Sequence, residues 1–146
     1  MLERLFLAVT AVLALGGTAR AQSVETVLAQ AGLLGRWASD CSQPPSAKNT
    51  HAVYAVDSSG RATLTYDFGP EYNTTLYTIP SARMVAPGRV SYEHINQASG
   101  AQLSVVLVVT ATHIRVWTSR LGKEVLVRNG KFTKAAGESP LQARCP

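Results

Sequence analysis

Cysteine is scarce in this chain: 146 residues contain two, Cys41 and Cys145. Their wide separation leaves no Cys-x-x-Cys redox pair. Structural zinc takes about four ligands at short spacings, and no such cluster occurs. Tryptophan is equally sparse, with only Trp37 and Trp117. No Gly-x-Ser-x-Gly elbow, His-Glu-x-x-His pair or phosphate-cradling glycine loop is present. The three histidines, His51, His94 and His113, fall on separate segments. Glu93 and His94 are adjacent, so on a strand they point to opposite faces and make no simple dyad. These absences leave catalysis, metal binding and cofactor binding without a constellation, and the expectation is a protein that is not an enzyme and has no cofactor. Lysine and arginine form no run interleaved with aromatics, which speaks against a nucleic-acid partner.

What is present begins with an export signal. Arg4 precedes an apolar stretch from Leu5 to Leu15, Gly16 and Gly17 break it, and Ala19-Arg20-Ala21 reads as a signal-peptidase site. Residues 1–21 are therefore read as a signal peptide, and the apolar stretch is too short for a stable membrane anchor. Residues 22–146 have the length of one domain with a real core. Two cysteines in an exported chain read as a disulfide between Cys41 and Cys145. The expected location is periplasmic or secreted.

Ser23 has the chemistry of a helix N-cap. Behind it Val24, Val27, Leu28, Ala31 and Leu34 recur at helical spacing, predicting a helix over about 23–34 that Gly32 or Gly35 ends. From His51 onward the pattern changes to alternation. Segments 51–56, 63–68, 74–79, 82–86, 90–96, 103–109, 112–119 and 123–128 read as short strands separated by turn residues. No crossover helices separate them, so the sheet is antiparallel. The fold class expected is all-β: a small eight-stranded up-and-down barrel with one N-terminal helix.

Leu33-x-Gly35-x-Trp37 after a helix resembles the signature of the calycin barrels, which include lipocalins and avidins. The layout is also similar to the small periplasmic metalloprotease-inhibitor barrels of Gram-negative bacteria. Those barrels combine a signal peptide, a short N-terminal helical segment, Gly-x-Trp, eight strands and one disulfide. The resemblance implies structural roles for Gly35 and Trp37: the ring closes one barrel end, and a basic residue from a late strand packs on it, here Arg128 or Lys131. The lipocalin Thr-Asp-Tyr signature and the several tryptophans of an avidin pocket are missing. The inhibitors' disulfide lies within their N-terminal half, whereas Cys41 and Cys145 span this domain.

The strongest candidate binding site lies on the hairpin around Leu121-Gly122. With those two residues as its loop, Arg115 stands opposite Arg128, Trp117 opposite Leu126 and Ser119 opposite Glu124. One face then carries His113, Arg115, Trp117 and Arg128; the other carries Ile114, Val116, Val125 and Val127. Two facing arginines repel unless an anionic group joins them, and Trp117 offers a stacking surface. A second candidate is the turn-rich stretch Asp67 to Tyr72, a barrel-mouth loop that could contact a partner. The function expected is non-catalytic binding of an exported protein partner or of a small ligand held inside against Tyr54, Tyr66, Phe68 and Tyr92. The alternative is a protease inhibitor that works through residues 22–35.

Overall fold

A computed structural model describes residues 21–146; residues 1–20, on which the signal-peptide reading rests, lie outside the described residues. The elements are α1 (Val24–Gln30), β1 (Gly35–Ala38), β2 (His51–Val56), β3 (Ala62–Asp67), β4 (Thr75–Ala86), β5 (Arg89–Asn96), β6 (Gln102–Val109), β7 (His113–Leu121), β8 (Glu124–Arg128), β9 (Lys131–Phe132) and β10 (Gln142–Arg144). Every strand pairing is antiparallel.

Strands β1 to β7 follow one another around a barrel, and β10 closes it by pairing with both β1 and β7. The expected eight-stranded antiparallel barrel is therefore the fold. Two strands extend it: β8 and β9 leave the wall as a flap. The edge of β7 is shared. Its first half pairs with β10, through His113↔Ala143 and Ile114↔Gln142, and its second half pairs with β8 from Thr118 to Leu121. Segments 74–79 and 82–86, read separately from the sequence, form the single strand β4, with a register shift between Thr78 and Ser81 where Pro80 interrupts the ladder.

The helix is shorter than its periodicity predicts. Ser23 Oγ accepts from Thr26 N–H at 3.1 Å to begin it. Gly32, at φ +67°, ends it: Gly32 N–H donates to Ala29 and Leu33 N–H to Leu28, both at 2.9 Å. This is a Schellman arrangement, and its usual apolar contact is supplied by Leu28 and Leu33, both fully buried. The helix thus docks its apolar side on the barrel, where Val27, Leu28 and Leu33 join a core that includes Trp37, Tyr54, Leu64, Ile79, Val90, Tyr92, Leu107 and Ile114.

Trp37 is wholly enclosed, and its indole N–H donates to the Leu33 carbonyl at 2.8 Å. The cation over its ring is Arg144, at 4.9 Å from the centroid, and not Arg128 or Lys131. The reason is topological. Arg144 stands directly opposite Trp37 on β10, whereas Arg128 and Lys131 are carried away on the flap. Arg144 also donates to the carbonyls of Gly32 and Leu34, tying the helix exit to the closing strand. The disulfide joins Cys41, just after β1, to Cys145, just after β10, with 5.3 Å between Cα atoms.

Candidate functional site

The inward aromatics pack on one another. Tyr54 and Tyr92 lie edge to face with their hydroxyls 2.8 Å apart, Tyr66 meets Tyr77 edge-on, and Tyr77 stacks on His94. Grooves on the described residues include three of about 250, 310 and 420 Å³; of the four aromatics expected around an internal ligand, Tyr92 borders the first and Phe68 the second, whereas Tyr54 and Tyr66 line none of the three. The middle one runs between Pro45 to Lys48 and Phe68 to Tyr72, the mouth stretch singled out in the sequence. Its walls meet closely: a Cβ on Gly69 would lie 2.5 Å from the Pro45 carbonyl. The first wall is pinned by Asn49, whose amide donates to the Asp40, Gln43 and Pro44 carbonyls.

The outer face of β7 carries His113, Arg115 and Trp117, as alternation requires. The hairpin register differs from the expected one. The turn is Gly122-Lys123, because Leu121 pairs with Glu124, and a bulge on β8 leaves Leu126 without an opposite residue. Consequently Arg128 stands opposite Thr118 and not Arg115, Ser119 opposite Val127 and not Glu124, Trp117 has no partner on β8, and Val125, opposite Arg120, lies on the face of Arg128 and not with Val127 as expected. A second bulge, on β7 against β6 between Val116 and Thr118, leaves Trp117 without a partner on β6 as well. The turn lies one residue further along than expected and the β8 bulge shifts the later pairs by one more, so the expected hairpin turn alone is an unsafe guide.

Arg115 therefore does not face a like charge. Its Nε donates to the Ser139 carbonyl at 2.9 Å and its guanidinium pairs with Glu138. That hydrogen bond, then the arginine's charge, then Lys131 nearby, hold the Glu138 carboxyl below its ordinary range. Trp117 is half-buried: the guanidinium of Arg89 lies 5.2 Å from its ring centroid, and Gly130 runs close enough that a Cβ there would touch the ring at 3.6 Å. His113 is occupied locally, with Nδ1 2.9 Å from the Thr112 hydroxyl.

Arg128, the fourth expected site residue, is exposed and directly opposite Lys131 on β9. Thr118, Arg128 and Lys131 form one row across three strands, and Arg120, two residues beyond Thr118, shares their face. Ser119 and Val127 are buried on the other face, which also takes Leu121 and Phe132. The sequence reading missed Arg89, Arg120, Glu138 and Ser139 here. A charge count by segment would have pointed to the region. Residues 21–146 hold twelve basic and eight acidic residues, and the span 113–138 alone holds six basic and two acidic. The whole net charge of +4 therefore lies on β7, β8, β9 and the chain just beyond, while the rest is balanced. Within that span Glu124 pairs with Lys134 and Glu138 with Arg115, leaving Arg120, Lys123, Arg128 and Lys131 without an ion pair.

Among the described residues no group of three or more His, Cys, Asp or Glu side chains is placed to hold a metal ion, and no helix is long and apolar enough to cross a membrane. Comparisons with models of protein families, with curated proteins and with solved structures find no match.

Proposed function

We propose that this chain is an exported, non-catalytic binding protein that engages a protein partner through the outer face of β7, β8 and β9. The observation that carries this reading is the gathering of the entire net charge in residues 113–138, on β7, β8, β9 and the chain just beyond, while the rest of the described chain is balanced. Complementary charge speeds encounter and sets orientation in protein association. The face rests on strands, which hold side chains more firmly than loops do. An internal small ligand has less support, because the inward aromatics already contact one another. The inhibitor alternative needs residues 22–35 free to enter a cleft, yet Val27, Leu28 and Leu33 are buried against the barrel. A distant kinship with calycin barrels belongs to the same reading, supported by Gly35, the enclosed Trp37 and the Arg144 guanidinium over it.

A photo-activatable cross-linker placed in turn at Thr118, Val125 and, on the mouth groove, Tyr72 tests the proposal in cells that export the protein. A discrete protein adduct from Thr118 or Val125 is expected. Adducts from Tyr72 alone would move the site to the mouth, and adducts from none would end the binding-protein reading.

A further inference from the structure

We infer that the partner is engaged through an acidic peptide segment, whose carboxylates lie across the row formed by Arg120, Arg128 and Lys131. The inference rests on the binding role proposed above and adds the chemistry of what is bound. Arg128 and Lys131 are directly opposite on an antiparallel pair, where like charges destabilise each other. Arg120 lies on the same face one strand away, and Lys123 stands at the adjacent turn. Of the two carboxylates in this stretch, Glu138 pairs with Arg115 while lying near Lys131, and Glu124 pairs with Lys134, so neither forms an ion pair with the row. Anionic side chains from outside would relieve the repulsion and gain charge-assisted hydrogen bonds, with the two guanidinium groups able to grip carboxylates bidentately.

Other anions fit less well. Membrane docking joins basic residues to apolar side chains that insert beside them. Here the exposed Leu121 and Phe132 belong to the opposite face. Single-stranded nucleic acid needs open aromatic platforms, and Trp117 is half-buried with the Arg89 guanidinium over its ring. A small inorganic anion is held by converging, enclosed donors, whereas Arg120, Arg128 and Lys131 are all exposed on a sheet surface. An extended peptide spans such a row because alternate side chains of a strand point the same way at about 7 Å intervals.

The test uses the mature protein and a short fluorescein-labelled polyglutamate peptide, read by fluorescence anisotropy. Binding that weakens steeply with added salt is expected. The double variant Arg120→Glu/Arg128→Glu should weaken it by about tenfold or more. The control Lys48→Glu/Arg83→Glu makes the same change in net charge away from the flap and should leave binding within about twofold. Thermal melts establish that both variants remain folded. Equal losses in the two variants would overturn the inference, since net charge and not the row would be acting. So would sedimentation with anionic phosphatidylglycerol vesicles in the absence of peptide binding. A Thr118 adduct in cells combined with no polyglutamate binding would reject the acidic segment while leaving the binding role intact.

Discussion

His94 is the residue whose surroundings fit it least. Both of its ring nitrogens are buried and neither has a hydrogen-bond partner. Tyr77 stacks on the ring at 4.5 Å and Tyr92 meets it edge-on at 5.6 Å. Burial disfavours the imidazolium and lowers the pKa from 6.5 to about 4. The folded pKa is thus below the unfolded one, so as pH falls the unfolded chain takes up the proton first. Stability present above pH 6.5 is lost between that value and about 4, by roughly 3 kcal/mol in full. In His94→Phe this acid step should vanish, and urea midpoints at neutral pH and near pH 5 should differ less than in the wild type. Equal differences in the two proteins would show that His94 is not the cause. Trp37 sits at the opposite extreme, with its ring enclosed and its N–H satisfied. Trp37→Ala should cost about 3–5 kcal/mol in equilibrium unfolding.

Among the elements, the short closing strand β10 has the largest consequences. Three residues pair with both β1 and β7, and the Cys41–Cys145 disulfide fastens its end. The crosslink spans 104 residues. Replacing both cysteines with serine should therefore cost about 4–5 kcal/mol in the chain-entropy account, measured by denaturant unfolding. The mouth loops depend on one glycine. Gly69 has φ +91° and no room for a methyl group against the Pro45 carbonyl. Gly69→Ala should lower stability by about 1–3 kcal/mol and separate the two walls of that groove. A mutant with unchanged melting temperature would mean that the loops approach less closely in solution.

For the whole molecule, charge and topology act together. The described chain is balanced in charge apart from residues 113–138, on β7, β8, β9 and just beyond, which carry the net charge. That separation predicts anisotropic behaviour: charge reversals on the flap should alter association rates and their salt dependence, while the same reversals elsewhere should not. The proposed export belongs to this scale too. N-terminal sequencing of the protein from the envelope or medium should begin at Gln22, as the Ala19-Arg20-Ala21 site implies. A chain that starts upstream would remove the export part of the proposed function. The disulfide is compatible with an oxidising compartment.

The sequence by itself determined the class. Alternation and close turns specified antiparallel strands, Ser23 set the start of a helix whose end was left to Gly32 or Gly35, and two cysteines in one chain specified a crosslink. Each is a local or pairwise signal, written in neighbouring residues. Only the tertiary structure decided which strand closes the barrel, because the span Gln142–Arg144 is too short to carry a period. It also decided the cation over Trp37 and the row of Arg120, Arg128 and Lys131. Those contacts depend on bulges that shift register by single residues, and on a shared edge of β7 that no local pattern encodes. His113, Arg115 and Trp117 were legible because alternation along one strand places them together. The position of Arg128 was not, because it depends on how two strands meet.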